Sequence, residues 1–296
     1  MNATAALQAP QVPGSVWSRI KPTHLLAGLN SLILIVAQWQ FSILEGYSIL
    51  MIAVGAAIAC EIVASLIVRE QFPNILNAYI SGVSTTLLTR PAAGAWWPIV
   101  AVAALSILSK YVLTWRGKHV WNPTNFGIAL ILLAAPNSAT ILGHEFGNTP
   151  WANGVIWFVG LIVVARARLL HVTASYVVGF VVFAALRSVL NGGGFATELG
   201  PLTGPMYQLF IFFMVTDPPT AVVGRNKQIV VAFLVAACEA LIRIGNDLEL
   251  SFLAPFSAAP AIFGLAIVGP IAKAIDLELA HRAKHVAGRV AASVGA

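Results

Sequence analysis

Thr216-Asp217-Pro218-Pro219-Thr220 closes an apolar run, Leu209 to Val215, inside the stretch Gln208 to Lys227. Two prolines remove two backbone donors and fix two φ angles, so a helix breaks here. Thr and Asp side chains supply substitute hydrogen bonds at such a break. At membrane depth, an ionisable residue beside a broken helix points to ligand or ion handling. At the water surface the same Asp217 is a plain helix cap. Periodicity alone leaves both readings open.

Other residues invite chemistry of the same kind. Glu61 and Glu239 lie within apolar runs and are candidates for an ion or proton path. Glu239 and Arg243 are spaced i, i+4, which predicts a local ion pair. Glu61 has no partner in its own neighbourhood. Lys110 is expected to snorkel toward a membrane surface. No phosphate-binding loop, dinucleotide fingerprint, zinc helix or nucleophile elbow is present. Gly192-Gly193-Gly194 lacks the Lys and Ser/Thr of a phosphate loop and reads as a flexible connection. The six histidines lie at run ends or in loops, His171 aside, and no pair has haem-ligand placement. Cys60 and Cys238 form no metal motif and read as small buried helix residues.

The elements that carry these residues are set by composition. Of 296 residues, 58% are hydrophobic and 9% charged. Soluble domains carry about 25% charged residues, so the chain is expected to be an all-α integral membrane protein. The N-terminal stretch is polar, with no apolar h-region, and predicts no cleaved signal peptide. Apolar runs follow at 24–44, 47–68, 77–88, 95–113, 126–135, 151–165, 169–190, 209–215, 229–244 and 252–275. That predicts about ten membrane segments. The third and fifth are too short to cross about 30 Å as regular helices. The expected divisions are a cytoplasmic segment 1–23, a five-span unit 24–135, an outer loop 136–150, a second five-span unit 151–277 and a cytoplasmic tail 278–296. The tail reads as amphipathic or disordered.

Net charge is +6, and its distribution reads as topology rather than as a nucleic-acid footprint. With ten spans and the N-terminus inside, 14 of the 17 Lys and Arg fall on the cytoplasmic side. Arg90, Arg187 and Arg243 remain outside, with Glu45, Glu145, Glu198, Asp247 and Glu249. This separation predicts cytoplasmic termini and a multi-pass protein of a bacterial cytoplasmic membrane, with the lipid bilayer as its first partner.

An internal echo organises the spans. The third run ends Leu87-Leu88-Thr89-Arg90-Pro91; the eighth ends Met214-Val215-Thr216-Asp217-Pro218. Each is followed by a loop, a full span and a Pro-opened run. These runs are Asn122-Pro123-Thr124-Asn125-Phe126-Gly127 and Ala259-Pro260-Ala261-Ile262-Phe263-Gly264. An offset of five spans predicts two inverted five-span repeats with short or broken helices at matching positions. Arg90 stands where the other half has Asp217.

The stretch Phe212 to Ala221 resembles the signature of the RnfD/NqrB family, membrane subunits of Rnf and Na⁺-translocating NADH:quinone oxidoreductase complexes. Ser81 to Pro91 is similar to that family's third span, and Trp121 to Gly127 to its Asn-Pro-initiated fifth helix. The resemblance runs from Leu25 to Leu277. It implies a flavin-bearing bundle that transfers electrons, coupled to ion movement, beside other membrane redox subunits. FMN or riboflavin is then expected near Thr216, Asp217, Pro218 and Asn122. The family's covalent attachment maps only to Thr140, in Asn137-Ser138-Ala139-Thr140, which lacks the family's Gly and long insertion. Non-covalent binding is the expectation that fits better, and a reduced stand-alone relative fits the short loop. A transporter without redox chemistry, and a structural subunit with no cofactor, are the competing readings. No catalytic or metal-ligating residue and no nucleic-acid partner is expected.

Overall fold

The computed structural model describes residues 22–44, 46–92, 94–141 and 150–294. Residues 1–21, Glu45 and the loop 142–149 with Glu145 lie outside the described residues. Helices dominate. They are α1 (Pro22–Phe41), α2 (Tyr47–Arg69), α3 (Ile75–Leu88), α4 (Trp97–Val112), α5 (Pro123–Ala134) and α6 (Pro150–Ala167). Then come α7 (Leu170–Asn191), α8 (Phe195–Leu199), α9 (Pro205–Leu209), α10 (Arg225–Asp247) and α11 (Pro260–Val294). Among the described residues α1, α2, α7 and α10 are long and apolar enough to cross a membrane. Their outward faces carry Trp39, Met51, Ile67, Val189 and Leu241 exposed, as a lipid-facing surface requires.

The two short helices are stopped for visible reasons. Asn74 caps α3 by accepting from Leu76 N at 3.1 Å. Asn122 caps α5 by accepting from Asn125 N at 3.0 Å, with Pro123 at the first helical position. At about 1.5 Å per residue, 14 and 12 residues reach roughly 21 and 18 Å. α3 is followed directly by the three-residue strand β1 (Thr89–Pro91), and α5, after a turn, by β4 (Ala139–Ile141); these pair antiparallel with Arg90 opposite Thr140. A second pairing, β2 (Thr114–Trp115) with β3 (Lys118–His119), turns through Arg116 and Gly117, whose φ values of 51° and 74° suit a tight hairpin.

After α9 the backbone widens into a π-helical segment, Phe210–Met214, closed by Val215 N donating to Phe210 O five residues back at 3.0 Å. The tail is helical. α11 runs unbroken from Pro260 to Val294, through Pro270. Its exposed Arg282 pairs with Glu278 one turn back, a spacing that favours helix over coil.

Packing follows a pattern. α2 packs on α4 and α7 on α10; α4 on α5 and α10 on α11; α1 on α3 and α6 on α9. The main helix–helix contacts between the first five helices and the rest are α1 with α6 and α5 with α11, and α5 also touches the 3-10 turn Ser251–Phe256. Glycines allow close helix approaches, among them two involving α5 and α11. A Cβ on Gly127 of α5 would lie 2.6 Å from Val102 O of α4. One on Gly264 of α11 would lie 3.0 Å from Val235 O of α10.

Candidate functional site

The helix break anticipated at Thr216 is real, and it is tied down from four sides. Thr216, 4% exposed, turns its hydroxyl back onto Phe212 O. Asp217 N donates to Met214 O at 3.3 Å, and Asp217 O accepts from Ala221 N at 3.0 Å. The Thr220 hydroxyl donates to Asp217 Oδ2 at 2.7 Å. Pro218 faces outward, exposed. Asn122, at the head of α5, reaches across 92 residues of sequence to donate from Nδ2 to Met214 O at 3.4 Å. The Thr-Asp-Pro turn and the Asn-Pro helix start therefore meet.

α11 clamps the rest of the turn. Lys273 donates from Nζ to Ala221 O. Asp276 accepts from Val223 N at 2.8 Å and pairs with Lys227 at 2.7 Å. Gln228 of α10 donates to Val222 O at 2.9 Å and also contacts His171 Nε2 at 2.6 Å.

Charge gathers around this turn. Burial raises the Asp217 carboxyl to about 6, against the Thr220 hydrogen bond and the charges of Lys110 and Lys273. His119 of the β2–β3 hairpin is pushed down by burial first, then by Lys110, Lys273 and Arg69. Asp217, His119, Lys110 and Lys273 thus share one end of the molecule.

Lys110 does not reach for the surface. Its side chain is 14% exposed and pairs with Glu61 at 3.2 Å. Tyr111 donates to the other Glu61 oxygen at 2.7 Å, and Arg69 stacks over the Tyr111 ring at 4.7 Å. Glu61, partnerless in its local sequence, is the centre of a three-residue network spanning two helices.

Glu239 is more deeply held. It is 1% exposed and accepts hydrogen bonds from Tyr176 and Tyr207, while Arg243 pairs with it at 2.9 Å across one helical turn, as expected. Arg243 also donates to the Tyr207 hydroxyl. A cleft between α7 and α10 is lined by Glu239, Arg243, Phe180 and Arg187. Arg187 pairs with Asp247 at 2.8 Å and with Glu198.

The candidate residues therefore separate into groups. Thr216, Asp217, Pro218 and Asn122 come together. Glu61 adjoins them through Lys110. Glu239 sits in its own network. Thr140 is exposed at the far end of α5, opposite Arg90 on β1. A second cleft is lined by Thr86, Thr89 and Arg90 with Ile43 and Leu44. Neither cleft is lined by Thr216, Asp217 or Asn122.

Sequence reading passed over Lys273 and Asp276, although two charges at i, i+3 in an apolar run mark a buried polar face. It also passed over Asn125, whose Nδ2 donates to Ile262 O at 3.0 Å and whose Oδ1 has no protein partner although the residue is fully buried. Cys60 and Cys238 are half-buried and unpaired. Among the described residues no group of His, Cys, Asp and Glu could hold a metal ion. Compared with known proteins, the chain matches no family model and no curated protein.

Proposed function

We propose that the chain is a membrane-embedded electron-transfer subunit that holds a flavin at the junction of the Thr216-Asp217 turn and the head of α5. The observation that carries this reading is the contact of Asn122 with Met214 O, which joins the two stretches that resemble one redox family.

The inverted-repeat reading supports it. α5 and α11 start at equivalent places, and Asn125 bonds to its own counterpart, Ile262, as residues on a two-fold axis do. The packing pairs named above repeat between the halves, and the two main helix–helix contacts between them, α1 with α6 and α5 with α11, each match an element to its counterpart. On this reading the chain has ten membrane segments in a bacterial cytoplasmic membrane, with both termini inside and other membrane redox subunits as neighbours.

The residues suit a flavin in kind. Trp121 and Phe126 place two rings 5.7 Å apart beside Asn122. Asn125 Oδ1 is an unclaimed acceptor, and Lys110 and Lys273 are cations for a phosphate. When bound, a flavin would supply one- and two-electron chemistry; the chain supplies orientation and field. FMN or riboflavin held without a covalent bond fits this placement better than attachment at Thr140, which lies at the other end of α5.

The purified protein should show flavin absorbance, with an intact mass equal to the bare chain. A colourless folded protein sinks the flavin assignment. A mass raised by one flavin, lost in Thr140→Ala, moves the site to β4. A second reading, a structural subunit without cofactor, is favoured by the absence of Thr216, Asp217 and Asn122 from either cleft. It predicts a colourless protein that co-purifies with membrane partners.

A further inference from the structure

Two side-chain amides converge on one backbone carbonyl beside the connection that leads into α9. Asn153, in the first turn of α6, donates from Nδ2 to Thr203 O at 3.1 Å. Gln208 of α9 donates from Nε2 to the same oxygen, also at 3.1 Å. Each amide then has an oxygen left over. Asn153 Oδ1 and Gln208 Oε1 are both buried, and no protein donor reaches either. Gln208 is 2% exposed, while Thr203 lies at the surface. The cluster therefore runs from solvent into the core.

Buried polar atoms are ordinarily paired, and two unpaired oxygens on amides that share one carbonyl call for a common cause. The oxygen and nitrogen of a side-chain amide exchange places by a half-turn of the last torsion, with no change of shape. When both amides turn, Thr203 O faces Asn153 Oδ1 and Gln208 Oε1 across the same 3.1 Å. Three negative dipole ends then meet, which is stable only around a cation. Thr203 O favours one already. It ends the 3-10 turn Gly200–Thr203 that extends α8, and the last carbonyls of a helical run carry partial negative charge. Carbonyls at such breaks between helical segments are where membrane proteins coordinate cations.

Spacing and charge select the ion. Oxygens 3.1 Å apart, roughly 80–90° from each other about the ion, place it about 2.2–2.4 Å from each, longer than the bonds of Mg²⁺ and close to those of Ca²⁺. The three ligands are neutral, however, and ions of double charge are held through carboxylates. Glu198, in the same helical run as Thr203, is taken by Arg187. Neutral oxygens alone suit a single charge, as in carbonyl-lined ion filters.

We propose that Asn153, Gln208 and the Thr203 carbonyl form a binding site for a small monovalent cation, entered from the Thr203 side, with water completing the coordination. The amide hydrogens that meet at Thr203 O give way to the ion when both amides turn. The site stands apart from the flavin reading and does not depend on it.

Thermal unfolding of the detergent-solubilised protein in choline chloride, with choline replaced stepwise by Na⁺ or K⁺ at constant chloride, tests it. The midpoint should rise with Na⁺ and level off as the site fills, with a weaker response to K⁺. Asn153→Ala and Gln208→Leu should lose the saturable rise. Gln208→Glu, which adds a charge to the ligand set, should saturate at lower Na⁺ and gain a response to Ca²⁺ that the wild type lacks. A midpoint indifferent to the cation, K⁺ equal to Na⁺, or variants that respond as the wild type does, overturns the site and leaves water as the partner of the amide oxygens. Should the variants fail to fold, ¹³C NMR of the wild type decides. The side-chain amide carbons of Asn153 and Gln208 should shift when Na⁺ replaces choline, and that of Asn125 should not; no shift at the first two, or an equal shift at all three, overturns the site. Flavin absorbance is read on the same preparations, so loss of one assignment is seen separately from loss of the other.

Discussion

Asn125 Nδ2 donates to Ile262 O at 3.0 Å, across 137 residues of sequence. Each residue stands second after the proline that opens its helix, Pro123 on α5 and Pro260 on α11. The bond is fully buried, and it fastens the first five helices to the last. Trp121 Nε1, donating to Ala266 O at 2.8 Å, continues the seam in antiparallel register.

Asn125→Leu should remove that bond, while the Ile262 carbonyl, in the first turn of α11, keeps its own helical hydrogen bond. A hydrogen bond contributes about 0.5–1.5 kcal/mol net, and the loss should appear as a lower midpoint in thermal unfolding of the detergent-solubilised protein. Asn125→Asp is expected to be worse, because it adds a charge at a fully buried position. Equal stability of wild type and Asn125→Leu would dismiss the seam as an anchor.

Gly127→Ala and Gly264→Ala probe the two close helix approaches. The first places a methyl 2.6 Å from a backbone carbonyl, the second 3.0 Å. Overpacking of this kind costs about 1–3 kcal/mol. Gly127→Ala should therefore be the more damaging of the two by the same unfolding measurement, and the reverse order contradicts the geometry.

Truncating Glu239 should be the most damaging single change. Glu239→Leu leaves the partly buried Arg243 without its carboxylate, with only the Tyr207 hydroxyl as acceptor, and breaking a fully buried pair from one side costs up to about 3–5 kcal/mol. Adding Arg243→Leu should recover much of the loss. A double-mutant cycle in which the two changes simply add would show that the pair is uncoupled.

Asp217 should titrate near pH 6. Its folded carboxyl is raised from 3.8 to about 6, so the folded state holds the proton more tightly than the unfolded chain. Stability is then highest with the carboxyl neutral and falls as pH rises from about 4 through 6. The whole change is on the order of 3 kcal/mol at about 1.36 kcal/mol per unit. Asp217→Asn should flatten this slope. A carboxyl infrared band that titrates near 4 instead would remove the effect.

The sequence made the local features legible. The short third and fifth runs, the break at Thr216 and the Glu239–Arg243 pair all follow from spacing within one element, which is what hydrophobic periodicity and proline report. Features that depend on distant partners were not legible. Lys110 and Glu61 are 49 residues apart, and nothing in either run identifies the other. The β1–β4 pairing joins strands of three residues, too short for any alternating pattern to mark. The π segment uses the same apolar residues as an α-helix, so composition cannot distinguish them. The tail's helix continues from a membrane segment already formed and needs no nucleus of its own, so its local composition did not decide between helix and coil.

The wide turn at Phe210–Met214 amounts to one residue more than an α-helix would need for the same rise. Each residue of an α-helix advances the azimuth by about 100°. Deleting a single residue from this segment would let the helix close into regular register and swing Thr216 and Asp217 around the axis by about that angle. Asp217 would then point away from Lys110 and Lys273, and Asn122 would lose its carbonyl. One surplus residue thus fixes the compass bearing of the turn, and the chain can lose it with every side chain of the site still present and the site gone.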